Sequence, residues 1–287
     1  MGITLGSNIA SLKAQRTLGR STEALGRTFE RLSSGQRINR ASDDAAGLAI
    51  ADSLKASQRV ATVAIRNAND GISTIAIADS ALGEIGNVLS RLAELAEQSA
   101  NGVFSTTQRS ALSNEFVALS SEIERIATTT QFNGVTLLSG GSTLTLQVGF
   151  NSGSTSQISF TGVQGTLQAL GLASTGTSVL TFSIQGGSVD SAQSASRAAL
   201  DAINNAITSL ASTRGTLGAT ESRLQVAINS LTVARENFAS AESRIRDVDV
   251  ASEAAELTRL NILQQAGSAI LAQANQQPSL ALSLLRG

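Results

Sequence analysis

The chain lacks four residue types that carry much of protein chemistry. Its 287 residues include no histidine, cysteine, tryptophan or tyrosine, and only one proline. Without histidine or cysteine there can be no Ser–His or Cys–His nucleophile, no imidazole or thiolate metal site and no disulfide bond. Carboxylate chemistry and an oxygen-liganded cation stay open. The composition therefore excludes most of the common hydrolase and zinc-site classes.

Charge and hydropathy narrow the range of partners. The chain has 21 basic and 22 acidic side chains and a formal net charge of −1, which argues against nucleic acid as the main partner. No apolar run approaches the length of a membrane span. The N-terminus lacks the apolar stretch of a cleaved secretory signal. We therefore expect neither a nucleic acid nor a membrane as partner.

Two long stretches repeat an apolar residue every three and then four positions. The first comprises Ala61, Ala64, Ala68, Gly71, Ile75, Ala78, Leu82, Ile85, Leu89, Leu92 and Ala96. The second comprises Leu200, Ile203, Ile207, Leu210, Arg214, Leu217, Glu221, Leu224, Ile228, Leu231, Arg235 and Phe238. Such a repeat keeps a narrow seam towards a partner helix, and at 1.5 Å per residue each seam predicts a rod of roughly 50–60 Å. We expect the two rods to pack together, which folds the chain back on itself.

Both ends of the chain carry weaker helical patterns. Residues 3–32 have an apolar seam with one slip in it, several glycines, and five basic against two acidic side chains. The last 40 residues carry a seam from Leu260 to Leu284, and Pro278 within it predicts a kink or a restart of the helix. A solitary two-armed hairpin and a polymer subunit both fit these patterns. The terminal seams favour the polymer, because a thin hairpin leaves them exposed.

The middle of the chain loses the helical period. Residues 106–127 predict a shorter helix, and helix resumes near Ser191. Between Asn133 and about Gly187, alternating runs at 144–148, 157–160 and 179–184 predict short strands, and the Ser/Thr/Gly content of 152–176 predicts few core contacts. The expected fold class is mainly α. N- and C-terminal arms form long antiparallel, coiled-coil-like rods, and a small β-rich hairpin region lies between them.

Several segments carry a specific family resemblance. Residues 31–52 read RLSSGQRINRASDDAAGLAIAD, and shorter matches are RNANDG at 66–71, QFNG at 131–134, ESRIRDVD at 242–249 and LSLLR at 282–286. Together these segments resemble bacterial flagellin, in order, over roughly residues 1–150 and 190–287. The middle segment matches little. Because this segment is short, the chain resembles a small flagellin.

The resemblance implies a function and a domain plan. It implies a structural subunit that polymerises into the flagellar filament, the helical propeller of motility, and is secreted to the cell exterior. Residues 1–40 with 248–287 would form a terminal coiled-coil domain lining the filament channel. Residues 41–133 with 190–247 would form the helical rod domain, and residues 134–189 a β-rich, outward-facing variable segment. The alternative is a hook–filament junction protein, also called hook-associated.

The resemblance also implies partners but no catalysis. We expect no enzyme activity and no cofactor, and the zinc peptidase that some flagellins carry is excluded by the absence of histidine. The implied partners are other copies of the chain, the flagellar cap, hook-associated junction proteins, an export chaperone and the flagellar type III export machinery. A vertebrate toll-like flagellin receptor is a further implied partner, at the matching positions Arg91, Leu95 and Glu115.

Candidate residues for contacts between subunits come from the terminal seams and the motif between them. The predicted filament interface comprises Leu5, Ile9, Leu12, Arg37, Arg40, Leu263, Ile270 and Leu284.

Local chemistry supports further expectations around that motif. Ser42, Asp43 and Asp44 predict a cap on the first rod, and Gly35 and Gly47 predict a bend and a close approach. In the second seam, charged residues recur at heptad spacing. They fit either a solvated edge or control of subunit register, and these charges are Arg214, Glu221, Arg235 and Glu242.

Overall fold

A computed structural model describes residues 7–140, 143–160 and 163–286, with side chains through Gln276. Its elements in chain order are α1 (Ile9–Ser34), α2 (Ala45–Ala100), α3 (Thr106–Thr129), β1 (Gln131–Phe132), β2 (Val135–Thr136), β3 (Leu144–Gln147), β4 (Gln157–Phe160), α4 (Val189–Arg246) and α5 (Val250–Arg286). The chain divides into a terminal unit, residues 1–58 with 236–287, and a central unit, residues 59–235. The prediction of a mainly α fold with long helices is confirmed.

Helix α2 buries the seam that its sequence predicts. All eleven predicted positions from Ala61 to Ala96 are buried, and Ser99 continues the series with its hydroxyl donating to the Ile184 carbonyl at 2.8 Å. Because the spacing alternates strictly between three and four residues, one narrow face of the helix stays in contact with the core over ten turns. Helix α2 therefore contributes a continuous row of buried side chains to the core of the central unit.

Helix α4 runs antiparallel to α2 within the central unit. A Cβ on Gly71 would stand 3.3 Å from Leu224 Cδ1, and one on Gly86 would stand 3.3 Å from Leu210 Cδ2, so the pairing partners on α4 move towards its N-terminus as α2 proceeds. The predicted α4 seam is half correct. Five of its positions are buried, namely Ile203, Leu210, Leu217, Leu224 and Leu231.

The other half of the α4 seam lies one residue earlier than the apolar pattern predicts. Ala199, Ala206 and Thr220 are buried, whereas Arg214 and Glu221 are exposed. Small side chains let two helices approach closely, and the hydroxyl of Thr220 is satisfied by the Thr216 carbonyl at 2.9 Å. A search for large apolar residues therefore misses these positions.

Helix α3 and the first hairpin follow from local signals. Ser105 and Gln108 form a capping box at the start of α3, with each side chain bound to the other residue's backbone. Strands β1 and β2 pair antiparallel across Asn133 and Gly134, which have φ values of 49° and 79°. Positive φ at both central residues is the geometry that favours Asn-Gly in two-residue hairpins.

The middle segment is part of the core, so the prediction of few core contacts for residues 152–176 is wrong. Strands β3 and β4 pair antiparallel with Leu144 opposite Phe160, and the Asn67 side chain on α2 donates to the Gln147 carbonyl at 3.0 Å. The core side chains that this segment contributes are Ile158, Phe160, Val163, Leu167, Leu170 and Leu172. The few apolar residues of this segment are buried. An average over a segment rich in Ser, Thr and Gly does not show this, because it does not say where the apolar side chains lie.

Two smaller expectations are also corrected. Residues 179–184 do not form a strand; among the residues described there, only Leu180 bridges to Ala173. Helix α5 continues through Pro278 to Arg286, so the helix does not restart there. In addition, α2 contains one 18-residue window of mean hydropathy 1.2, long and apolar enough to cross a membrane by length and composition alone, and 33% of this window is buried within the protein.

Candidate assembly interface

Helices α1 and α5 form an antiparallel pair in the terminal unit. Asn8 Nδ2 donates to the Ala274 carbonyl at 2.7 Å, and Ser11 Oγ donates to Asn275 Oδ1 at 2.7 Å. At the other end, Arg31 Nη1 lies 3.8 Å from Glu253 Oε1. Asn8 also caps α1, because its side chain accepts a hydrogen bond from the Ser11 N–H. Polar contacts therefore fix both ends of this pair.

The seam between α1 and α5 is built mostly from small and polar residues. On α1 the covered positions are Ser11, Ala14, Leu18, Ser21, Leu25, Thr28 and Leu32. On α5 they are Glu253, Leu257, Leu260, Gln264, Gly267, Leu271 and Ala274. Gly267 permits the close approach, since a Cβ there would stand 3.3 Å from Leu18 Cδ1. Both series keep heptad spacing, so the pair is a regular coiled-coil contact.

Large apolar side chains remain outside that seam. Ile9 is 59% exposed and Ile270 is 60% exposed. We call the exposed apolar residues of the α1–α5 pair the outer apolar set, and it consists of Ile9, Leu12, Phe29, Val250, Ile262, Leu263 and Ile270. The slip in the α1 sequence pattern arises here, because Ile9 and Leu12 belong to this set while Leu18, Leu25 and Leu32 belong to the seam. Leu5 and the side chain of Leu284 lie outside the described residues.

The sequence pattern found four members of this set and missed three. Phe29, Val250 and Ile262 are not among the predicted interface residues. The heptad row of α5 explains the positions on that helix. With Gln264 and Leu271 on the seam, Leu263 and Ile270 lie to one side of it, and Ile262 lies on nearly the opposite face.

The connection between α1 and α2 is held by two glycines and two aspartates. Gly35 ends α1 in the left-handed region, with φ 70°. Asp44 Oδ1 accepts the Gly47 N–H at 2.9 Å and so caps α2, as predicted, and a Cβ on Gly47 would stand 2.9 Å from Ile38 Cδ1. Asp43 has a different role from the one predicted. The N–H groups of Arg40 and Asn39 donate to it and hold the pKa of its carboxyl below the usual value.

The two arginines of the motif have partners within the chain. Arg37 Nη2 donates to the Ile245 carbonyl at 2.6 Å, and its backbone N–H donates to the Arg246 carbonyl at 2.6 Å. Arg40 Nε donates to Glu30 Oε1 at 3.0 Å. Both side chains are exposed, so these contacts do not occupy all their donors. A role for Arg37 and Arg40 between subunits stays a prediction.

The predicted receptor residues separate into two groups. Arg91 on α2 forms ion pairs with Glu94 at 2.8 Å and with Glu115 on α3 at 2.9 Å, and these hydrogen bonds, first that to Glu94, raise the pKa of Arg91. Leu95 is only 1% exposed and belongs to the core. Its assignment to a contact surface is therefore corrected, because the i, i+4 spacing from Arg91 does not bring it to the surface here.

No arrangement for binding a cofactor or metal emerges in the described part of the chain. Among residues 7–140, 143–160 and 163–276, no group of three or more acidic side chains is placed to hold a metal ion. The terminal unit combines exposed apolar side chains with a surplus of positive charge on α1.

Comparison with known proteins identifies the family. The model described as the bacterial flagellin N-terminal helical region matches residues 5–143, and the model described as the C-terminal helical region matches residues 200–285. A flagellin from Halalkalibacterium halodurans is 44% identical over 280 residues, with 97% of this chain and 98% of that protein covered. A flagellin from Bacillus subtilis is 39% identical over 301 residues, with the same coverage.

A solved structure shares the fold. A putative flagellar hook-associated protein from Vibrio parahaemolyticus has a TM-score of 0.59 and 14% identity, and the match covers 71% of this chain and 100% of that one. At this identity the likeness concerns the fold alone. The two family matches and the full-length relatives carry the assignment: this chain belongs to the bacterial flagellin family.

Proposed function

We propose that copies of this chain polymerise into the flagellar filament, and that the outer apolar set is buried between them. The observation that carries this proposal is the exposure of Ile9, Ile262 and Ile270 outside a seam that is already complete. Full burial of one such side chain contributes about 1.5–3 kcal/mol. Because a heterologous contact that does not close generates an open helical array, the same gain recurs at every added subunit.

Charge supports the same contact. Helix α1 carries five basic and two acidic side chains, and its exposed basic residues are Lys13, Arg16, Arg20 and Arg27. The described side chains of α5 include Glu253, Glu256 and Arg259. Both glutamates are already paired, with Arg31 and with Arg259. The basic surface of α1 would therefore orient one copy against the next by pairing with acidic groups outside α5.

Within this proposal the chain acts through assembly and not through catalysis. The terminal domain of residues 1–40 with 248–287 lines the filament channel, residues 41–133 with 190–247 form the surrounding rod layer, and residues 134–189 face outward. Family membership supports export through the flagellar type III machinery with a chaperone, and addition beneath the cap. The filament would lie outside the cell, where it would turn motor torque into thrust.

The hook-associated alternative has less support. The likeness to the Vibrio parahaemolyticus protein, at 14% identity, concerns the fold alone, whereas both family matches and the relatives at 44% and 39% identity are flagellins. A junction protein would occupy few positions at the filament base. A filament subunit would account for nearly all the protein in sheared filaments, and quantitative mass spectrometry separates the two.

A second proposed partner is the vertebrate toll-like flagellin receptor. The surface that remains for it is the exposed pair of Arg91 and Glu115, since Leu95 is in the core. Arginine is one of the residue types enriched among interface hot spots. This contact joins α2 and α3 of the central unit and does not involve the outer apolar set.

A helical reconstruction of purified filaments tests the main proposal. We expect the side chains of Ile9, Ile262 and Ile270 to contact neighbouring copies. Filaments in which these three side chains face solvent would contradict the proposal.

A further inference from the structure

Two Asn-Gly pairs in the central unit have the same sequence but different backbone settings. One is Asn101-Gly102, in the loop between α2 and α3, and the other is Asn133-Gly134, in the turn between β1 and β2. In such a pair the backbone nitrogen of the glycine can attack the side-chain amide carbon of the asparagine, because glycine has no Cβ to shield that nitrogen. All four residues are exposed, so the pairs differ in backbone geometry and not in access to water.

The loop after α2 brings the reacting groups of the first pair together. Helix α2 ends at Ala100, and among the residues that the structure describes the Gly102 N–H has no hydrogen-bond partner. Asn101 Oδ1 accepts the Val103 N–H at 3.2 Å, which folds the side-chain amide over the Gly102 peptide. The same N–H would stabilise the negative charge that develops on Oδ1 when the amide carbon becomes tetrahedral. The loop therefore both positions and polarises this amide.

The hairpin turn restrains the second pair. Strands β1 and β2 pair on both sides of it, with Phe132 opposite Val135 and Gln131 opposite Thr136, and Asn133 has a φ of 49°. A five-membered ring between the side chain and the next backbone nitrogen fixes the backbone at the asparagine. Closing that ring in the turn therefore displaces a backbone geometry on which the strand pairing depends. The described residues of the loop after α2 include no strand pair, so ring closure there meets less resistance.

We propose that Asn101 is a site of spontaneous deamidation in the folded chain, through attack by the Gly102 nitrogen, and that Asn133 is not. The Gly102 nitrogen loses its proton to solvent and forms a bond to Cγ of Asn101. The bond from Cγ to Nδ2 then breaks, and the nitrogen takes up a proton and leaves as ammonia, which gives a cyclic imide. Water opens this ring at either carbonyl and yields aspartate or isoaspartate. Nothing is oxidised or reduced, and the site does not depend on the proposed filament.

The reaction alters a contact of a buried arginine. Arg109 on α3 is only 1% exposed, and its Nη2 donates to the Asn101 carbonyl at 2.8 Å. Ring opening to aspartate keeps that carbonyl in the main chain. Opening to isoaspartate adds a methylene group to the main chain and displaces the carbonyl, so a buried donor loses its acceptor. We therefore expect the isoaspartate form to melt at a lower temperature than the unreacted chain.

A variant of the attacking residue locates the reaction. Gly102→Ala shields the nitrogen, and the added Cβ would stand 2.7 Å from Gln193 Nε2, which is the end of a flexible side chain that can move away. Gly187→Ala is the control, since its added Cβ meets nothing within 4 Å. We expect Gly102→Ala to slow conversion of Asn101 at least about tenfold and Gly187→Ala to leave it unchanged. Undiminished conversion in Gly102→Ala would contradict attack by this nitrogen.

Comparison of the two pairs within wild-type protein tests the proposal without any variant. Folded monomer is aged in mildly alkaline buffer, peptide mapping by mass spectrometry measures conversion at Asn101 and Asn133, and an isoaspartyl methyltransferase assay detects isoaspartate. The same measurement on the urea-unfolded chain gives both rates without the fold. We expect Asn101 to convert at least about tenfold faster than Asn133 in the folded monomer, and the two to convert at similar rates in urea. Equal rates in the folded monomer, or faster conversion at Asn133, would overturn the proposal.

Discussion

Arg214 on α4 binds Asp79 on α2 through two parallel hydrogen bonds, from Nε to Oδ1 at 2.7 Å and from Nη2 to Oδ2 at 3.0 Å. The pair lies beside the buried seam and joins the two antiparallel helices. A planar guanidinium that binds a carboxylate through two donors fixes geometry as well as distance. The sequence allows two interpretations of the heptad-spaced charges of α4, either a solvated edge or control of subunit register. For Arg214 the structure shows an ion pair between α4 and α2 within one chain, and a role in the register between subunits stays a prediction.

This pair predicts a pH-dependent contribution to stability. The hydrogen bonds from Arg214 lower the pKa of Asp79 in the folded state. The contribution is therefore present above the unfolded pKa of about 4 and is lost as pH falls through the lower folded value. Because both side chains are about 40–46% exposed, we expect less than about 1 kcal/mol. Asp79→Asn should lower the melting temperature slightly at neutral pH, and the difference should vanish in acid.

The matched control is Asp70→Asn, which removes a carboxylate from an exposed position of α2 that is outside the ion pairs of the described residues. A difference between wild type and Asp79→Asn that persists at the lowest pH would show that the effect is not the ion pair.

The middle segment should be needed for the stability of the central unit. Leu172 is completely buried in the common core, and a buried Leu→Ala change costs about 2–5 kcal/mol. Val179→Ala is the control, since Val179 is 74% exposed, and its effect should stay within about 0.5 kcal/mol. Urea unfolding measures both. Equal midpoints would mean that residues 152–176 do not stabilise the core.

Two adjacent glycines before α4 should respond in opposite ways to substitution. A Cβ on Gly186 would collide with the backbone nitrogen of Ala192 and stand 2.7 Å from the Ser191 carbonyl carbon, whereas one on Gly187 would meet nothing within 4 Å. Gly186→Ala should therefore lose about 1–3 kcal/mol of stability. Gly187→Ala should be neutral or slightly stabilising, because it restricts the unfolded chain. The measurement is thermal unfolding, and equal melting temperatures for the two variants would contradict this account.

Receptor recognition should depend on Arg91. In a reporter-cell assay with monomeric protein, Arg91→Ala should reduce signalling well beyond twofold, since it removes the anchor that Glu115 holds in place. Arg125→Ala is the control, because Arg125 also pairs with a glutamate on α3, at 2.5 Å from Glu122. An unchanged response to Arg91→Ala, or no response to the wild type at any dose, would contradict the proposal that the receptor binds this chain through Arg91.

The long helices were predictable because their sequence repeats over many turns. The α2 seam from Ala61 to Ala96 is buried at every position, and Asp44, Gly35 and the Asn133–Gly134 turn behave as local chemistry requires. These features depend on neighbours within a few residues or on a period sustained over several heptads. Both are visible in one sequence.

The misplaced positions share a different cause. On α4 and α5 the seam alternates large residues with small or polar ones, such as Ala206, Thr220 and Gln264, and a search for apolar residues moves to the larger neighbour. Leu95 lies on nearly the same face of α2 as Arg91, but it belongs to the core cluster, and the spacing within one helix does not show which positions other elements cover. The burial of Arg109 could not be predicted either, because the Asn101 and Val189 carbonyls that accept its hydrogen bonds are brought to it only by the fold.

The most direct test of the assembly contact is polymerisation of purified Ile270→Asp protein. An unpaired charge placed in a contact between copies costs several kcal/mol at each subunit, whereas the exposed position on the monomer tolerates it. Seeded polymerisation followed by sedimentation and negative-stain microscopy provides the readout, with Val179→Asp as the equally polar control at an exposed apolar site of the central unit. The account predicts folded monomers without filaments for Ile270→Asp and normal filaments for Val179→Asp. Normal yields of filament from Ile270→Asp would contradict it.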